Sequence, residues 1–204
     1  MKLNLVRLAV AAGLAAALTG PASAATTTYQ IDPRHSSAGF GVTHLMISTV
    51  RGQFHAVNGT VVWDDSDPTK SSVNVIIDAT TVDTQEPVRD KDLKSPNFFD
   101  VEKFPTITFK STKVEAAGPG KLKVTGDLTI HGVTKQVVLD ANAPKAPIRD
   151  PWGMTRTATS GTTKVNRKDF GLVWNKNLDG GGVMIGDDVD ITLDVEMIVP
   201  PPAK

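Results

Sequence analysis

The sequence predicts an all-β fold: an antiparallel sheet of roughly eight strands closed into a barrel around an apolar interior, with one short helix capping it. Three observations carry this. Apolar residues recur at every second position through most of the chain, the period of a strand with one buried face. The segments between these runs are short and rich in Gly, Pro, Asp and Asn, which suits antiparallel neighbours and leaves no room for the crossover that parallel strands need. Counting the runs gives roughly eight, the number at which a sheet can close on itself and still hold one ligand.

Taken in order, the first alternation runs through Ala38, Phe40, Val42 and His44, and a single strand is expected over 52–63. Val73, Val75 and Ile77 share the face of the next, followed by strands over 106–114, over Val124, Gly126, Leu128 and Ile130, over 133–141 and over 153–165. The last is the clearest: Val189, Ile191, Leu193, Val195 and Met197 point one way, while Asp188, Asp190, Thr192, Asp194 and Glu196 point the other. Asp64-Asp65-Ser66-Asp67-Pro68 and Ala117-Gly118-Pro119-Gly120 read as connecting turns, and His131-Gly132 as a two-residue hairpin. The helix is expected over 86–94, opened by Pro87 and ended before Pro96. Pro200-Pro201-Pro202 ends the chain in an extended tail.

The N-terminus reads as a cleavable export signal: Lys2 and Arg7, an apolar run over 8–18, Gly20-Pro21, then Ala22-Ser23-Ala24. That run is too short to span a bilayer, so cleavage is expected after Ala24, releasing one domain over 25–204 to the periplasm, without stable membrane insertion. The absence of cysteine excludes disulfides, thiol nucleophiles and zinc-thiolate sites. Without Lys2 and Arg7 the mature chain carries 20 basic and 22 acidic residues, which argues against nucleic acid as a partner. Aromatics are 5% of the chain and the last strand's outer face is acidic, unlike an outer-membrane barrel with its aromatic girdles and apolar band.

The aromatic residues carry the ligand reading. Phe98, Phe99 and Phe104 flank the expected helix and are assigned to one end of the cavity. Phe40, Val42, Phe54, Ile77 and Phe109 are assigned to its walls, with Trp152, Phe170 and Trp174 joining them. His44 falls on the inward face, where a polar group needs a partner, and is a candidate for a ligand's head group. No Gly-x-Ser-x-Gly elbow, cysteine nucleophile or histidine pair with metal-ligand spacing is present, so neither an enzyme nor a metal site is expected. Arg89 with Asp90 and Arg167 with Asp169 read as structural ion pairs, and the acidic groups at Asp64 and Asp187 as solvated turns. Asn58-Gly59-Thr60 fits a glycosylation pattern weakly.

In these features the chain resembles the YceI-like proteins from Tyr29 to Met197. The likeness rests on Asp32 with His35-Ser36, Val42-Thr43-His44, Gly52-Gln53-Phe54, Arg89-Asp90, Phe98-Phe99-Asp100, Phe104-Pro105-Thr106-Ile107-Thr108-Phe109, Gly126-Asp127-Leu128-Thr129-Ile130-His131-Gly132 and Asn166-Arg167-Lys168-Asp169-Phe170-Gly171. The resemblance implies an extended, lipocalin-like eight-stranded barrel, periplasmic, binding a polyisoprenoid or other long amphipathic lipid and no further cofactor. It also implies links to envelope stress or quinone handling and allows a homodimer. The stretch 174–184, with Gly180-Gly181-Gly182, shows the least of the family pattern.

Overall fold

The computed structural model describes residues 26–199; the expected export signal and the proline tail lie outside them. In chain order the strands are β1 (Thr27–Ile31), β2 (Ser37–His44), β3 (Ser48–Phe54), β4 (Val57–Trp63), β5 (Ser72–Asp78) and β6 (Val82–Asp83). The helix α1 (Pro87–Lys94) follows, then β7 (Thr106–Ala116), β8 (Lys121–Ile130), β9 (Val133–Asn142), β10 (Ile148–Arg149), β11 (Thr155–Asn166) and β12 (Ile185–Val199). Every pairing is antiparallel. The ring runs β1, β4, β5, β7, β8, β9, β11, β12 and back to β1, a closed eight-stranded barrel as expected.

Three walls of this barrel are interrupted strands. β1 and β2 lie end to end along one edge of β12, through Ile31 with Met197 and Ala38 with Leu193. β3 and β4 lie likewise against β2 and β1, and β6 and β5 against β3 and β4. The single strand expected over 52–63 is therefore two, and it starts earlier. The break falls at Ala56, whose φ of 52° is left-handed and cannot continue a pleated ladder. β1, only five residues long with Tyr29 and Ile31 facing inward, was not among the expected strands.

Turn chemistry fixes the register elsewhere. His131 and Gly132 are both left-handed, at φ 52° and 73°, and join Ile130 to Val133 as the expected two-residue hairpin. At Asp64–Pro68 the reading needs correction, because Asp64 is buried rather than solvated. Its Oδ1 accepts from Ser66 N, Asp67 N and Ser66 Oγ, so the side chain builds the turn it sits in.

The helix and the β2/β3 and β8/β9 turns occupy one end of the barrel, called here the helix end; residues 26 and 199 lie at the other. Glu86 caps α1 by accepting from Val88 N and Arg89 N. No residue of the helix is fully buried, so it is a lid resting on the barrel through Leu93 rather than a core element.

Candidate functional site

The inward faces of the strands enclose a cavity of about 410 Å³ along the barrel. Its walls are almost entirely apolar: Val57, Val61 and Trp63 from β4, Val73, Val75 and Ile77 from β5, and Val189, Ile191 and Leu193 from β12 illustrate the pattern. This is period-two alternation turned into geometry, since every other side chain of a closed sheet must face the axis. The cavity reaches solvent beside α1, where exposed Asp92 contributes to its lining with Arg89 and Leu93.

The rings form wall, not plug. Phe40, Phe54 and Phe99 make a chain, with centroids 5.7 and 5.3 Å apart, and Phe98 meets Trp174 at 5.5 Å. Two glycines make room for rings to lie against the backbone. A Cβ on Gly52 would stand 2.5 Å from Phe40 Cζ, and one on Gly126 would stand 2.5 Å from Phe109 Cζ. Phe109 thus covers the bare backbone of β8 and leaves the centre open.

Phe40, His44, Phe54, Ile77, Phe98, Phe99, Phe109, Phe170 and Trp174 all line the cavity, as assigned from the sequence. Three residues do not. Trp152 is 76% exposed, in the loop after β10, beyond the open end of the wall. Phe104 packs on the β8/β9 hairpin, its ring 4.6 Å from that of His131 and over Gly132, outside the barrel's end. Val42 shares the inward face of β2 but is only half-buried and lies outside the lining set.

The charged pairs expected from sequence are differently wired. Arg89 and Asp90 converge on Thr84 instead of on each other: Arg89 Nε donates to Thr84 Oγ1 at 2.8 Å, while Asp90 Oδ1 accepts from Thr84 N at 2.8 Å. Arg167 turns from Asp169 and donates to the carbonyls of Gly186, Leu172 and Trp174 and to Asp187. It thereby clamps the loop over the helix end. Burial lowers the pKa of this guanidinium, and Asp187 opposes that shift.

Alternation could not show two further features. Near the far end, Arg156 donates to Asp32 Oδ2 at 2.9 Å, to Asp150 Oδ2 at 2.6 Å and to Glu196, while His35 Nδ1 lies 3.0 Å from Asp32 Oδ2. Burial alone would raise the Asp32 carboxyl, but the hydrogen bonds from Arg156 and His35 outweigh it and hold the group well below the usual carboxylate range. Asp32, His35 and Glu196 are spaced closely enough for a metal, yet the Arg156 guanidinium already bonds both carboxylates. The Asp-x-x-His-Ser order was visible in sequence; its partner 124 residues away was not. The second feature is the inner face of β11, where Thr159, Gly161 and Thr163 interrupt the apolar wall.

Residues 29–197 match the model of the YceI-like domain. A UPF0312 protein of Vibrio parahaemolyticus is 42% identical over 164 residues, covering 79% of this chain and 86% of that protein. Among solved structures, the YceI protein of Campylobacter jejuni is 30% identical with a TM-score of 0.65, covering 78% of this chain and 90% of that one. A polyisoprenoid-binding domain from Saccharophagus degradans superposes with a TM-score of 0.62 at 17% identity, covering 84% and 98%, a likeness of fold. With its closed barrel, its lined cavity and a family match spanning nearly all the described residues, this chain belongs to the YceI-like family.

Proposed function

We propose that this chain is a periplasmic carrier that holds a long isoprenoid lipid, such as an isoprenoid quinone, in its barrel. One observation carries the reading: a cavity of about 410 Å³ runs along the axis between apolar walls. At the roughly 30 Å³ that a water-sized group occupies in a liquid, that is room for about fourteen such groups. Each buried methylene contributes about 0.8 kcal/mol, so a chain that fills this space contributes about 11 kcal/mol and offsets most of the roughly 4 to 15 kcal/mol that association costs. A short ligand would not. The solved Saccharophagus degradans domain, described as polyisoprenoid binding, supports the same class of occupant.

His44, Arg89 and Asp92 all lie on the lining at the helix end and offer the head group polar partners. The apolar walls favour holding a chain over transforming it. The export reading of residues 1–24 and a role in envelope stress belong to the same proposal. Native protein extracted into organic solvent and analysed by mass spectrometry should release a stoichiometric isoprenoid; repeated recovery of an empty barrel would overturn the carrier reading. Lipid incubated with the protein should return chemically unchanged.

A further inference from the structure

The barrel is not equally strong around its circumference. β11 and β12 are joined by twelve register pairs and β8 and β9 by ten. Between β9 and β11 there are two, Gly161 with Ala141 and Thr162 with Asp140. Beyond β9, Lys145 N donates to Ala158 O at 3.0 Å, and side chains add further bridges. Thr159 Oγ1 donates to Asn142 O at 2.6 Å, Thr163 Oγ1 to Val138 O at 2.9 Å, and Thr157 Oγ1 to Lys145 O at 2.6 Å. These threonines face inward on the one strand whose inner face is polar. No residue of β9 is fully buried, unlike its neighbour β8, which buries five.

The same seam is thin. An external cleft of about 680 Å³ lies over it, and Leu122, Ala141, Asn142, Ser160, Gly161 and Leu193 border both cleft and cavity. Gly161 places no side chain between the two spaces. A hydroxyl-to-carbonyl bond can be exchanged for one to water or to a passing polar head, whereas a lost ladder pair exposes two backbone groups together. At the helix end the cavity meets solvent beside α1, but the Phe98 and Trp174 rings pack together there and Arg167 ties the loop across it.

We propose that the lipid enters and leaves sideways, through the parting of β9 and β11, with the tail passing between the strands and the polar head crossing at the threonine hydroxyls. This rests on the carrier reading and adds the place where the cargo crosses the wall. Passage through the neighbouring seam on either side would have to break ten or twelve ladder pairs in place of two.

The absence of cysteine makes a clean background for a lock. Asp140 and Thr162 are directly paired and both exposed, at a separation that antiparallel neighbours and disulfides share. The full chain carrying Asp140→Cys and Thr162→Cys is loaded with radiolabelled polyprenol, and its transfer to phosphatidylcholine vesicles is timed oxidised and reduced. Oxidation should slow transfer at least about tenfold and reduction should restore it. A control lock between Lys123→Cys and Asp140→Cys, across the well-paired β8 and β9, should leave the rate unchanged.

Equal rates in locked and reduced protein that retains polyprenol would overturn the lateral route, assign passage to the helix end and leave the carrier reading standing. Reduced protein that folds but never retains polyprenol would overturn both. Because lock and release are read on one preparation, a folding defect cannot imitate the expected result.

Discussion

At the residue scale, the lumen is open because glycine is placed where rings need backbone to lie on. Gly126 has ordinary strand geometry, but a Cβ there would stand 2.5 Å from Phe109 Cζ and 2.6 Å from Lys110 O. Both the ring and the β7 backbone must then shift. Gly126→Ala is expected to cost about 1 to 3 kcal/mol by overpacking and to reduce lipid retention, checked by denaturant midpoint and by mass spectrometry of the extract. Arg156 is the other decisive residue. Asp32 and Asp150 are buried, and both carboxyls sit below their usual pKa despite the opposing effect of burial, because Arg156 hydrogen-bonds each. Groups with depressed folded pKa values contribute stability that is present above the unfolded value of about 3.9 and lost as pH falls through the folded one. The melting temperature should therefore hold from neutral pH to about 5 and decline below about 4. Arg156→Met should lower it at pH 7 by on the order of 5 to 10 °C, by stranding two buried carboxylates, and move the acid decline to higher pH. A melting temperature within one degree of the parent protein's would refute this account. Arg156 meets Asp150 through the local β10/β11 turn, but it reaches Asp32 only because β11 and β1 both lie along β12, and that part of the wiring was not legible beforehand.

At the element scale, the β2/β3 hairpin turns on Leu45 and Met46, both left-handed at φ 50° and 63°. Asn-Gly is the pair usually found in such a turn, and bulky residues there cost roughly 1 to 2 kcal/mol each. Leu45→Asn with Met46→Gly should raise stability by about 1 to 2 kcal/mol in urea titration. An unchanged midpoint would show that the left-handed pair carries no strain. Strands with strict alternation, such as β8 and β12, were readable because one face of each must be apolar. β1, five residues long, was missed, whereas β11 was expected over 153–165 although its inner face is built of threonines that bond laterally to β9. The helix was legible from Pro87 and Pro96, whereas the split of β3 from β4 hangs on the backbone of Ala56, a residue with no turn signature.

For the whole molecule, the cargo and the fold should be linked. A lipid that binds only the folded barrel raises the melting temperature with its saturation, so protein stripped by organic solvent and refolded should melt lower and regain the difference on reloading with polyprenol. Identical curves for stripped and loaded protein would show that the cavity does not hold the chain. By itself the sequence determined the all-β class and the antiparallel closure; of the twelve residues it assigned to a ligand, the structure places nine on the cavity lining. Alternation dictates which side of a sheet is apolar, and a closed sheet has only one inside. Only the tertiary structure decided that Trp152 and Phe104 lie beyond the ends of the wall, that Arg156 gathers three carboxylates, and that β9 and β11 meet in a seam of two pairs. Those facts depend on where strands stop and on which distant residues face one another, and a local period carries no information about either.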